Sequence, residues 1–144
     1  MIIDTDMQEI AYAISTGGAP FPGLKSVLDD IQYMGGDLYV ASGDSMRSLM
    51  YLSDLGISKE KIYPVSDPRR KLEIVLGLKN KYKKVIMVGD GLNDIYALKA
   101  ADLGVLSVQQ DSRPSSSLLC AADEILLDIL DLPAILKRAS NNPI

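Results

Sequence analysis

The sequence predicts an α/β fold: a mostly parallel sheet with helices on both faces. Three observations predict it. Short apolar runs recur along the chain, each ending on small polar residues, as at 38–41 before Ser42-Gly43-Asp44 and at 85–88 before Gly89-Asp90-Gly91. Amphipathic stretches of helical period lie between these runs. At 144 residues the chain has the length of one domain and can bury one sizeable core. Continuous apolar runs bounded by Gly and Asp suit strands buried on both faces, and strand–helix alternation suits a parallel sheet.

In chain order, residues 1–16 read as an N-terminal strand or hairpin of open register. Residues 17–139 read as the core and 140–144 as a tail, the whole forming a single domain. Leu24, Val27, Leu28, Ile31 and Met34 mark a helix between Pro22 and Gly35-Gly36. Residues 38–41 form a strand. Met46, Leu49, Met50 and Ser53 mark a second helix, capped by Asp44 or Ser45. Leu72, Val75, Leu76 and Lys79 mark a third, entered through Asp67-Pro68. Residues 85–88 are a strand and 95–101 a helix. Residues 103–108 are a strand, 115–121 a short helix, 125–127 a strand, and 130–139 a last helix with Pro133 in its first turn. The serine-rich 112–117 stretch reads as a loop.

Composition removes several chemistries. Histidine is absent and Cys120 is the lone cysteine. An internal disulfide, a Cys/His zinc site, and Ser-His-Asp or Cys-His catalysis are therefore excluded. Acid–base work falls to carboxylates, lysine or tyrosine. The net charge of -4 argues against nucleic acid as a partner. Apolar runs are far shorter than the roughly 20 residues of a membrane span, so a soluble, cytoplasmic protein is expected.

The chemistry concentrates at the predicted strand ends, where ligands bind in open parallel sheets. In residues 85–94, VIMVGDGLND, a buried strand delivers Asp90 between two glycines, and Asn93 and Asp94 open a helix. Two carboxylates so held form a hard oxygen site suited to Mg²⁺. Gly91 lets the backbone approach a phosphate, with Asn93 beside it. Gly-Asp-Gly also serves as an ordinary turn and Asn-Asp as an ordinary cap. The full strand–GDGxND–helix arrangement gives the second carboxylate a purpose that a turn does not. In LYVASGD, residues 38–44, Ser42 and the backbone at Gly43 can hold phosphoryl oxygens, or Ser42 and Asp44 can simply cap a helix. Lys71 can neutralise phosphate charge at the same sheet edge. Arg69 and Arg70 beside it allow an ordinary solvated lysine instead.

Together these residues resemble the haloacid dehalogenase superfamily of phosphohydrolases, most of all the phosphorylation domain of P-type ATPases and its soluble archaeal relatives. The likeness runs over residues 5–130. Ser42 matches the family's second motif, Lys71 its third, and Asp90 with Asp94 its acidic fourth. SDPRRK followed by GDGLNDIYALKAADLGV parallels the ATPase pattern. The resemblance implies a Rossmann-like fold without a large cap domain, and Mg²⁺-dependent phosphatase chemistry. Ser42, Gly43, Lys71, Gly91 and Asn93 would hold the phosphoryl group, and Asp90 and Asp94 the metal. The substrate is an unidentified phosphoester. A second copy or a partner chain would cover a site that has no cap.

The family's first motif, an aspartate nucleophile ending a central strand, has no plain match, and three readings stand. In the first, residues 1–6 form that strand, with Asp4 as nucleophile and metal ligand and Asp6 as general acid–base. In the second, residues 2–16 are the β-hairpin that precedes this region in P-type ATPases, and the domain is a partial one that keeps a phosphate and Mg²⁺ pocket as a binding or partner subunit. In the third, Ser15 stands where the aspartate would be. A missing central strand would leave unpaired N–H and C=O groups on both neighbours, so the gap must be closed by the N-terminal strand, by direct pairing of the two neighbours, or by a strand from another chain.

Overall fold

The structure, a computed structural model, describes residues 10–16, 24–33, 35–108 and 114–141. Six strands form one sheet: β1 (Ile10–Thr16), β2 (Asp37–Ser42), β3 (Ile62–Tyr63), β4 (Lys84–Gly89), β5 (Leu103–Ser107) and β6 (Glu124–Leu126). Their order is β3-β2-β1-β4-β5-β6 and every pairing is parallel. The helices are α1 (Leu24–Tyr33), α2 (Tyr51–Asp54), α3 (Pro68–Lys79), α4 (Ile95–Ala100), α5 (Ser116–Ala121) and α6 (Leu132–Asn141). No helix among the described residues is long and apolar enough to cross a membrane.

The sheet separates two cores. On one face Tyr12, Val40, Ile86 and Val88 pack with Val27, Leu28 and Ile31 of α1 and with Leu132 and Leu136 of α6. On the other, Ala11, Ala13, Ala41 and Met87 meet Ile74, Val75 and Leu78 of α3, Ala97 and Leu98 of α4, and Leu118 of α5. Strand alternation sorts these side chains. The small alanines of β1 and β2 face α3 and α4, while Tyr12 turns to the α1 side.

The centre of the sheet settles which stretch fills the gap. β1 pairs with β2 on one side, Thr16 opposite Ser42, and with β4 on the other, Ile14 opposite Val88. The strand assigned to residues 1–6 by the first reading is therefore not the central one. The slot belongs to residues 10–16, because only one strand fits between β2 and β4. The second reading has a strand in the right residues but places it in an outlying hairpin, whereas it is paired in parallel on both edges. Its C-terminal end carries Ser15 and Thr16, as in the third reading. Asp4 and Asp6 lie outside the described residues, as do Pro22 and Met34.

Three local expectations are corrected. The buried stripe of α3 is Lys71, Ile74, Val75 and Leu78, while Leu76 is exposed. The second helix is a 3₁₀ turn, Arg47–Leu49, followed by the single turn of α2, and it buries Leu49 and Leu52 in place of Met50. The N-cap position of this turn is Met46, which makes no side-chain cap bond, in place of Asp44 or Ser45; the Ser45 Oγ accepts the Ser48 N–H at 3.3 Å just ahead of it. At the C-terminus, α6 runs on to Asn141, into the stretch expected as a tail.

Candidate functional site

The C-terminal ends of β2, β1 and β4 lie side by side, and the loops after β2 and β4 define the described part of the site. At the end of β2, Ser42 is fully buried. Its Oγ accepts the Asp44 N–H at 3.1 Å, which curls residues 42–44 into a tight turn. Two bonds strap this turn to the loop after β3: Ser66 N–H donates to the Ser42 carbonyl at 2.7 Å, and Val65 N–H to the Asp44 carbonyl at 2.9 Å. Between them Val65 is held at φ +49°, a left-handed conformation that a β-branched residue adopts only when its surroundings force it.

α3 begins immediately after this loop. Asp67 is its N-cap, accepting the Arg70 N–H at 2.7 Å, and Pro68 occupies the first turn. One turn later Lys71 points inward, with 2% of its side chain exposed, and its Nζ donates to Asp94 Oδ1 at 2.9 Å.

β4 delivers Gly89-Asp90-Gly91, and a 3₁₀ turn, Leu92–Asp94, leads into α4. Asp94 is fully buried. Its Oδ2 accepts the Asp90 N–H at 3.0 Å and the Gly91 N–H at 3.3 Å. The Asp94 carboxylate folds so closely over the strand end that a Cβ at position 89 would lie 2.7 Å from Asp94 Cβ. Glycine at 89 is thus a requirement of close approach. Asp94 serves as the keystone of the loop: one oxygen holds the lysine and the other holds the backbone that presents Asp90.

Asp90 itself reaches solvent. Partial burial of its carboxyl, then the neighbouring Asp94 charge, raises its pKa above the ordinary value, with Lys71 opposing. Of the two carboxylates expected to hold a metal, Asp90 is therefore the open one. Among the described residues no group of three or more acidic or cysteine side chains forms a closed metal cage. Asp90, an open carboxylate at the loop, fits the way Mg²⁺ binds, through one or two carboxylates together with water and substrate phosphate. Asn93 is exposed and Gly91 half-buried at the same loop, and Gly43 is exposed on the β2 side.

The structure thus brings Ser42, Gly43, Lys71, Asp90, Gly91, Asn93 and Asp94 to one edge of the sheet. The positions of Asp4 and Asp6 lie outside the described residues. Sequence reasoning missed the strap through Val65 and Ser66. It also left Lys71 open to solvent, although Lys71, Ile74, Val75 and Leu78 recur at i, i+3, i+4 and i+7, the spacing that marks a buried face.

Comparison with known proteins gives the family. The model of the haloacid dehalogenase-like hydrolases matches residues 3–102. The soluble P-type ATPase-like phosphatase of Methanocaldococcus jannaschii is 30% identical over 145 residues, covering 100% of this chain and 53% of that protein. The chain therefore spans about half the length of that curated relative. Among solved structures, the catalytic domain of the CPx-ATPase CopB-B superposes with a TM-score of 0.69 at 31% identity, over 87% of this chain and 48% of that one. A 3-deoxy-D-manno-octulosonate 8-phosphate phosphatase from Moraxella catarrhalis, solved with magnesium and phosphate ions, has the same fold, with a TM-score of 0.75 at 19% identity over 96% and 91% of the two chains. The chain belongs to the haloacid dehalogenase-like hydrolases, as a phosphatase-like domain related to the phosphorylation domain of P-type ATPases.

Proposed function

We propose that this domain binds a phosphate monoester together with Mg²⁺ at the C-terminal edge of its sheet and hydrolyses the ester. The observation that carries the reading is the buried Lys71–Asp94 pair beneath an open Asp90, beside the strapped turn at Ser42. Asp90, with Asp94 behind it, would hold Mg²⁺, which when bound offsets phosphoryl charge. Lys71 sets a fixed positive charge under the site, and Asp94 fixes its ammonium. Ser42, Gly43, Gly91 and Asn93 supply polar groups for phosphoryl oxygens. For turnover, the family resemblance requires an aspartate nucleophile beside Ser42; β1 ends there in Ser15 and Thr16, so Asp4 as nucleophile and Asp6 as acid–base would have to be brought to that edge from the stretch before β1. The Asp4 carboxylate would bond to phosphorus as the ester P–O bond breaks, and Asp6 would give its proton to the leaving oxygen. Water would then cleave the acyl phosphate, returning a proton to Asp6.

A second reading has its own support. The strand in the central slot ends in Ser15 and Thr16, with no carboxylate. This favours a domain that binds phosphate and Mg²⁺ without turnover, as a partner subunit.

Hydrolysis of p-nitrophenyl phosphate separates the two. The first reading expects Mg²⁺-dependent release of nitrophenol, abolished in Asp90→Asn and in Asp4→Asn. Wild-type protein no faster than Asp90→Asn would defeat it and leave the binding reading in place.

A further inference from the structure

Ser66 is 2% exposed, although Val65 and Asp67 on either side of it are open to solvent. A buried hydroxyl in an exposed loop needs a partner. Ser66 Oγ donates to the Tyr63 carbonyl at 3.0 Å and closes residues 63–66 into a turn at the end of β3. That turn aims the Ser66 N–H at the Ser42 carbonyl, 2.7 Å away, and the Val65 N–H at the Asp44 carbonyl, 2.9 Å away. The next residue, Asp67, caps α3, and its carbonyl accepts the Lys71 N–H at 2.9 Å. Ser66 therefore stands between the Ser42 turn and the helix that carries Lys71. The arrangement is held against strain. Val65 keeps its φ of +49° while the residue, 72% exposed, buries little surface in return. Strain of this kind persists where the surroundings over-determine the backbone.

We propose that Ser66 is a positioning residue for the phosphate site: it fixes the Ser42 turn against the start of α3, so that Ser42 and Lys71 meet one phosphoryl group from set places. The inference rests on the phosphate site proposed above and specifies how that site is held in shape. Ser66 acts through backbone. Its hydroxyl holds the end of β3, and its N–H holds the end of β2. Loss of the hydroxyl frees the 63–66 turn. α3 stays in place, anchored in the core by Ile74, Val75 and Leu78, so it is the Ser42 turn that drifts. The Mg²⁺ side is held separately, by the bonds from the Asp90 and Gly91 N–H groups to Asp94. Phosphate and Mg²⁺ therefore respond differently to a change at Ser66. The coupling is also reciprocal: the factor by which the strap raises phosphate affinity is the factor by which bound phosphate stabilises the strap.

Amide NMR of the whole chain tests this with two probes, Mg²⁺ alone and inorganic phosphate in the presence of Mg²⁺. In the wild type, saturating phosphate should slow deuterium exchange of the Val65 and Ser66 amides by about five- to tenfold, and Mg²⁺ alone should leave it unchanged. Ser66→Ala should weaken phosphate binding by about the same five- to tenfold, with Mg²⁺ affinity, read from the Asp90 and Gly91 amide shifts, unchanged. Ser66→Cys keeps the side chain's size but donates weakly, and should match Ser66→Ala. Exchange unmoved by bound phosphate, or phosphate affinity unchanged in the variants, overturns the positioning role and leaves the phosphate site standing. Mg²⁺ affinity that falls as far as phosphate affinity also overturns it, since that marks a general disturbance of the fold. A wild type that binds no phosphate removes the site and the role with it.

Discussion

Lys71 Nζ and Asp94 Oδ1 lie 2.9 Å apart, and both side chains are withdrawn from solvent, at 2% and 0% exposure. Such a pair contributes little net stability when intact, because desolvation offsets its attraction. Breaking it is costly, since one charge remains buried alone. Lys71→Ala is expected to lower unfolding stability by about 3–5 kcal/mol, measured by urea denaturation. The double variant Lys71→Met with Asp94→Leu should lose clearly less than the two single losses combined, because no unpaired charge is left. Additive losses would show that the two residues act independently.

Two glycines predict opposite signs for the same change. Gly104 in β5 faces the end of α4, where an added Cβ would meet the Leu98 carbonyl oxygen at 2.7 Å. Backbone cannot yield cheaply, so Gly104→Ala should cost about 1–3 kcal/mol. Gly77, inside α3, has nothing within 4 Å of an added Cβ. Gly77→Ala should stabilise by about 0.5–1 kcal/mol through helix propensity. Thermal unfolding of the two variants checks both signs.

Alkaline stability should depend on Tyr82. Its hydroxyl donates to Asp37 Oδ2 at 2.5 Å and meets the Tyr39 hydroxyl at 2.7 Å. Burial first, then the bond to Asp37, pushes its pKa well above the usual 10.0, and burial raises Tyr12 too. Below pH 10 the tyrosines are protonated in both states. Above it the unfolded chain releases protons that the folded chain keeps, so the unfolded state binds fewer protons and stability falls with rising pH. Tyr82→Phe should flatten that fall, as read from urea midpoints on either side of pH 10. An unchanged slope in the variant would refute this origin.

The legible part of the site is the part with strong local chemistry. GDGLND announces a strand end and a helix start in one string, and both are found, with β4 ending at Gly89 and α4 beginning at Ile95. Asp67-Pro68 marks the entry to α3 just as clearly. The central strand was harder to read. The alternation of Ala11, Tyr12, Ala13 and Ile14 fixes a strand but not its neighbours, because small residues on one face suit a sheet centre under helices and a hairpin alike. β3, with two residues, is too short to show a period at all. The roles of Lys71 and Asp94 depend on a contact across 23 positions, and neighbouring Arg69 and Arg70 make Lys71 look solvated until the phase of α3 is counted through Ile74, Val75 and Leu78.

The central proposal is a shared phosphate and Mg²⁺ site at Asp90, Lys71 and Ser42, and it is independent of whether the domain turns substrate over. Calorimetric titration of inorganic phosphate, with and without Mg²⁺, into wild-type protein and Asp90→Asn tests it most directly. The account predicts that Mg²⁺ strengthens phosphate binding to the wild type and has no such effect on Asp90→Asn. Phosphate affinity that is the same with and without Mg²⁺ in the wild type would contradict it.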